Sequence, residues 1–212
     1  MIYLISGLGA DERVFKYLNL ADRPSTVIRW ENAGEGESLE SYCKKLIRQI
    51  DTQTEVVLIG VSFGGIIAQE IAAQIPVKKL ILISSIKSPR EFDWKLQMAK
   101  YTGIYRMIPA GFLKKLNRYT TDFYFGVEST SESELLRQIL KDTDTQFLKW
   151  AIHAIMSWKG AKNDVLPIHF HGSNDRFFPI KNMKNFILIE NAGHFMIVNR
   201  SGTISDLINS LL

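Results

Sequence analysis

One cysteine, Cys43, in a chain of 212 residues excludes an internal disulfide. With only 6 prolines and 14 glycines, collagen-like and low-complexity architectures are excluded as well, and no internal repeat is visible. No long hydrophobic run is present. The most apolar stretch, residues 56–68, is broken by Ser62 and three glycines and falls short of the ~18 residues of a membrane helix. Met1-Ile2-Tyr3-Leu4-Ile5 places no basic residues ahead of its apolar ones, so no secretory leader is expected and a cytoplasmic location is the default. Nor is there a large excess of charge. The net +4 is carried entirely by residues 87–160, which hold 12 Lys and Arg against 8 Asp and Glu. Within 87–118 the 8 basic side chains are dispersed rather than run together, which suits a solvated face and argues against a nucleic-acid partner.

What is present is a globular composition, 46% hydrophobic and 23% charged, with short apolar runs alternating with amphipathic helical patterns. Strands are predicted at 2–6, 26–30, 56–60, 80–84, 166–171 and 186–189. Leu39, Tyr42, Cys43, Leu46, Ile47 and Ile50 recur at helical spacing behind a capping Ser38, which makes Cys43 a core residue. A second helix is expected from Gly64 to Ile75, and a last one carries Ile204, Leu207, Ile208 and Leu211 on one stripe. Apolar runs without polar alternation suit strands covered on both faces, hence a mostly parallel sheet flanked by helices. Residues 87–160 interrupt this alternation with helical spacings only, as in Leu135, Leu136, Ile139 and Leu140, and read as a helical insertion between core segments 1–86 and 161–212.

The chemistry is concentrated at Gly60-Val61-Ser62-Phe63-Gly64. This G-x-S-x-G sits between a predicted strand and a predicted helix, the context of a nucleophile elbow, in which a sharp turn presents the serine hydroxyl at the carboxyl edge of the sheet. A serine hydroxyl needs a base to take its proton, and the elbow implies a later acid and then a histidine, each on a loop after a strand. Of four histidines, His153 lies in the insertion, His169 within a predicted strand and His171 ahead of the acid loop. His194, in Asn191-Ala192-Gly193-His194, remains as the base. Asp175 follows the preceding strand and is chosen as the acid over Asp164, which comes before it.

Taken together these features resemble the α/β-hydrolase superfamily over nearly the whole chain. The resemblance rests on an opening strand leading to Ser6-Gly7-Leu8-Gly9, the elbow at Ser62, a helical insertion after the next strand, the H-G-x-x-D stretch ending at Asp175, and Gly193-His194. It implies an α/β-hydrolase fold with a six-stranded, mostly parallel sheet, a helical cap, and a catalytic triad of Ser62, Asp175 and His194. It also implies an oxyanion hole formed by the backbone N–H groups of Phe63 and Leu8, with Gly9 allowing close approach of substrate. Relatives often carry His-Gly where this chain has Ser6-Gly7, and often His where it has Val61; neither is a triad position. The helix between the last two strands is expected to shrink to a turn near Lys181 to Lys184.

Gly7-Leu8-Gly9 lacks the third glycine of a dinucleotide fingerprint, which would fall at Glu12, and the His169-x-His171 pair has no cluster of further ligands around it. No cofactor and no metal are expected. The partner is a small molecule, with no nucleic acid and no membrane. The expected activity is hydrolysis of a small, mainly apolar ester, thioester or amide through an acyl-enzyme. Lyase or acyltransferase use of the same residues, and a ligand-binding protein without turnover, stay open. The insertion holds 12 of the 23 aromatic residues, more than a small subdomain can bury. Several are therefore expected to roof the site, with Trp150 and Ile155 assigned to the interior of the insertion.

Overall fold

The computed structural model describes residues 1–107 and 117–212. Phe112, Lys114 and Lys115, part of the aromatic and basic content of the insertion, lie outside the described residues.

Six strands form one sheet in the order β2-β1-β3-β4-β5-β6, every neighbouring pair parallel. They are β1 (Ile2–Ile5), β2 (Ser25–Val27), β3 (Val57–Val61), β4 (Lys79–Ile83), β5 (Ile168–Gly172) and β6 (Ile187–Ile189). β1 and β3 are buried along their whole length, which accounts for their uninterrupted apolar sequences. Successive side chains alternate between two cores. Tyr3, Ile5, Leu58, Leu80 and Leu82 point to one face, where α1 (Leu39–Ile47) and α2 (Phe63–Ala72) bring Tyr42, Cys43, Leu46, Ile66, Ile67 and Ile71. Ile2, Leu4, Val57, Ile59, Ile81 and Ile83 point to the other, which is closed by Ile204 and Ile208 of the last helix.

Between β4 and β5 run α3 (Trp94–Thr102), α4 (Arg118–Phe125), α5 (Thr130–Asp142) and α6 (Thr145–Ser157). Each begins at a side chain that accepts a hydrogen bond from the first turn: Asp93, Asn117, Ser129 and Asp144. After β6 come α7 (Met196–Asn199) and α8 (Ser201–Leu211), and a single 3-10 turn at Ile180–Asn182 occupies the expected reduced connection.

Several boundaries differ from the sequence reading. α2 ends at Ala72 rather than Ile75, the remaining residues continuing only as tightened turns such as Gln74 N–H to Ile71 O at 2.8 Å. β5 starts at Ile168, with Leu166 90% exposed ahead of it. β2 stops at Val27, and Trp30 turns inward so that its indole N–H donates to Ala10 O at 2.8 Å.

Candidate active site

Ser62 lies between β3 and α2 with φ 53° and ψ −119°, a conformation that costs a residue with a Cβ about 1–3 kcal/mol and persists only where its surroundings enforce it. Here the surroundings are mostly backbone. The Ser62 N–H donates to Ile83 O at 2.9 Å, its carbonyl accepts from Gly65 N–H at 2.9 Å, and Ser85 Oγ donates to the same carbonyl at 2.7 Å. The two glycines of the motif are required by space. A Cβ on Gly60 would stand 2.4 Å from Gly64 O, and one on Gly64 would stand 2.3 Å from the carbonyl oxygens of Ile5 and Ser6. β1, β3 and α2 are thus pressed together at the turn that presents the hydroxyl.

The structure brings Asp175, from the turn after β5, and His194, from the loop after β6, to that hydroxyl. His194 Nδ1 is 2.8 Å from Asp175 Oδ2, and His194 Nε2 is 2.9 Å from Ser62 Oγ. A carboxylate can only accept, so Nδ1 carries the hydrogen and Nε2 is left to accept from the serine. The second oxygen, Asp175 Oδ1, accepts from the N–H groups of Phe177 and Phe178, both at 2.9 Å. Burial pushes the Asp175 carboxyl up. His194 at hydrogen-bond distance, His171 and the Phe178 N–H outweigh that and hold it below the usual carboxylate range. Rings of Phe125, Phe177 and Phe178 surround the imidazole with centroids at 5.7, 4.8 and 5.6 Å.

The other two core histidines stand behind the acid. His171 Nε2 donates to Phe178 O at 2.8 Å and lies 3.4 Å from Asp175 Oδ2, which leaves His171 Nδ1 to accept from His169 Nε2 at 3.1 Å. Burial lowers the His171 pKa and pulls that of His169 down to about 3, so both are neutral near pH 7. Among the described residues, no group of three or more His, Cys, Asp or Glu side chains is arranged to hold a metal ion. His153 is exposed on α6 beside Tyr105, and Asp164 is exposed ahead of β5.

Leu8 occupies the second position of a turn closed by Ala10 N–H to Gly7 O at 3.0 Å, and Phe63 directly follows Ser62 as the first residue of α2. The turn abuts the elbow, since a Cβ on Gly7 would lie 3.4 Å from Ser62 Cβ. Ser6 Oγ donates to Ala10 O at 2.7 Å and receives the Trp30 indole N–H at 3.0 Å, tying the turn to the core. The expectation that Gly9 leaves room for substrate is not met. Its φ is +67°, and the space a Cβ would fill is taken by the Thr143 side chain, 2.3 Å away.

A cavity of about 510 Å³ opens over Ser62, His194, Gly7 and Leu8. Its walls include Leu136, Ile139 and Leu140 of α5, Leu148 and Ile155 of α6, Tyr124 and Phe125 of α4, and Phe177, Phe178 and Phe195. No Asp, Glu, Lys or Arg is among the described residues lining it. The roof is apolar as expected but mainly aliphatic, the insertion giving it only two aromatic residues among those described. Trp94, Tyr101, Tyr119 and Phe123 face outward instead. Ile155 lines the cavity, and Trp150 packs on Tyr42 at 4.3 Å between ring centroids, so neither belongs to an interior of the insertion.

A model of the Alpha/beta hydrolase family matches residues 2–205. The chain belongs to this family. Solved structures agree with the fold: an esterase from Thermogutta terrifontis superposes with TM-score 0.72 at 18% identity, covering 99% of this chain and 88% of that one. The esterase EaEST from Exiguobacterium antarcticum gives TM-score 0.72 at 18% identity, over 99% and 90%. A lipase-esterase related protein from Clostridium acetobutylicum ATCC 824 gives TM-score 0.71 at 16% identity, over 100% and 93%. No curated protein matches the sequence. No helix among the described residues of this α/β hydrolase is long and apolar enough to cross a membrane.

Sequence reasoning missed four supporting residues. The N–H donors of Phe177 and Phe178 had a signal, since an aspartate that begins a turn commonly binds the N–H groups following it. Trp30 and Thr143 had none, because the carbonyls they bind, Ala10 O and Gly9 O, are distant in sequence.

Proposed function

We propose that the protein is a serine hydrolase that cleaves a small, mainly apolar carboxylic ester through an acyl-enzyme, thioesters and amides being chemical variants of the same reaction. His194 takes the Ser62 proton as Oγ attacks the carbonyl carbon, and Asp175 holds the imidazole in the required tautomer and stabilises its charged form. The carbonyl electron pair moves to oxygen, where the N–H groups of Leu8 and Phe63 and the positive end of α2 stabilise it. Collapse expels the alcohol with the proton from His194, and water releases the acid by the same steps. In this reading residues 1–86 and 161–212 form the catalytic core and 87–160 a cap that roofs the cavity.

The observation that carries the proposal is the Asp175–His194–Ser62 chain at 2.8 and 2.9 Å opening into a cavity with no Asp, Glu, Lys or Arg among the described residues that line it. Such a wall stabilises no ionic substrate and favours each methylene that enters by up to ~0.8 kcal/mol. A series of p-nitrophenyl esters tests this. kcat/KM is expected to rise from acetate over the next members and then fall once the roof is reached. A steady fall from acetate, or activity confined to charged substrates such as acyl-CoA, would sink the proposal.

A further inference from the structure

The corner between α5 and α6 reaches across the cavity to the turn that carries Leu8. Thr143, buried at this corner, has its Oγ1 2.9 Å from Gly9 O and 2.8 Å from Ile139 O. Ile139 O also receives the Thr143 backbone N–H at 3.1 Å and keeps a second lone pair, so the single hydroxyl proton is shared between Ile139 O and Gly9 O. The neighbouring residue repeats the contact, Asp142 pairing with Arg13 at 2.9 Å while Arg13 also grips Asp11 at 2.6 Å. Of the partners on the core side, Gly9 lies in the turn at Gly7–Ala10 and Arg13 shortly after it. The φ of +67° at Gly9 sets the direction of its carbonyl, and the absence of a side chain there lets Thr143 approach.

We infer that Thr143 is a positioning residue for the reaction: its hydroxyl fixes the Gly9 peptide and, through it, the aim of the Leu8 N–H at the developing oxyanion. This rests on the serine-hydrolase reading above and adds to it that the inserted helices complete the oxyanion hole as well as roofing the pocket. A turn residue does not otherwise need a partner more than a hundred positions away. Here Ser6 and Trp30 fasten the turn from the core side at Ala10 O, and Thr143 fastens it from the side of the α5–α6 corner at Gly9 O. A hydrogen-bond donor aimed at an oxyanion works only if it is held before the charge develops, so losing one of two anchors affects the transition state more than substrate binding.

The test compares Thr143→Val, which keeps the shape and removes the hydroxyl, with Thr143→Ser, which keeps the hydroxyl. For the best p-nitrophenyl ester, Thr143→Val is expected to lower kcat by about ten- to a hundredfold with KM within about twofold, and Thr143→Ser to stay within about threefold of wild type. The distinguishing readout is inhibition by an alkyl trifluoromethyl ketone. In that adduct Ser62 Oγ bonds to the ketone carbon, the carbonyl electron pair becomes an oxyanion, and the serine proton moves to His194. Its Ki should rise in Thr143→Val by the same factor as kcat/KM falls. A Thr143→Val enzyme within twofold of wild type, an unchanged Ki, or a Thr143→Ser enzyme as impaired as Thr143→Val would overturn the inference while the hydrolase reading stands. A wild-type protein silent on every ester would overturn both. If Thr143→Val does not fold, Thr143→Ser still decides, since impairment there assigns the role to the methyl group.

Discussion

At the scale of single residues, the site is made by backbone more than by side chains. The strained Ser62 is enforced by Ile83 O, Gly65 N–H and the two glycines of its motif, and Asp175 is aimed by the N–H groups of Phe177 and Phe178. This is why the three residues proposed to react are legible in the sequence while their supports are not. Gly60, Ser62 and Gly64 are close enough to form a spacing, and Asp175 and His194 each follow a recognisable strand. The contacts of Trp30 with Ala10 O and of Thr143 with Gly9 O join segments that no local pattern relates. Because the orientation proposed for Asp175 and the proton transfer proposed for His194 act on the reaction path, His194→Ala and Asp175→Asn are each expected to lower kcat by about 10²–10⁴-fold. Thermal unfolding should show a folded protein in both. His153→Ala and Asp164→Asn, at exposed positions that do not line the cavity, should retain wild-type rates; loss of activity in Asp164→Asn would mean that the acid has been wrongly assigned.

At the scale of elements, α2 and the inserted helices have different tasks, and their sequences differ accordingly. α2 is buried over nearly its whole surface, so its apolar run carries little amphipathic signal and its end at Ala72 could not be read from Pro76. α5 and α6 are amphipathic and separately capped, which makes them recognisable as helices, but periodicity says only which side of a helix is apolar and not what that side meets. Ile155 illustrates this: its spacing fits an internal contact, and it lines the cavity instead. A partly exposed wall residue can be enlarged without disrupting a core, so Ile155→Trp should fold and fill part of the 510 Å³. The expected result is that the best p-nitrophenyl ester becomes shorter by two or more carbons, with acetate turnover little changed. An unchanged chain-length profile would show that α6 does not bound the acyl site.

At the scale of the whole molecule, the six-stranded sheet is legible because β1 and β3 at its centre are covered on both faces and therefore have no charged positions to disguise them. Less legible is the buried polar column behind the acid. His169 and His171 alternate with apolar residues in β5 and face the same side as Asp175, where each must remain neutral in the fold. In the unfolded chain a histidine takes up a proton near its ordinary value of ~6.5, whereas His169 resists until about pH 3. Between those limits the unfolded state binds more protons, so stability falls on acidification by up to ~1.4 kcal/mol per pH unit for each such histidine. Urea midpoints at pH 7, 6 and 5 should fall in that order, and His169→Gln should flatten the slope by about one proton; an unchanged slope would contradict the assignment. The central claim, that this arrangement activates Ser62 as a nucleophile, is tested most directly with an alkyl fluorophosphonate. Oγ should displace fluoride, and mass spectrometry should place one phosphonyl adduct on the peptide containing Gly60 to Gly64, with none in Ser62→Ala. An unlabelled wild-type protein, or equal labelling of Ser62→Ala, would contradict it.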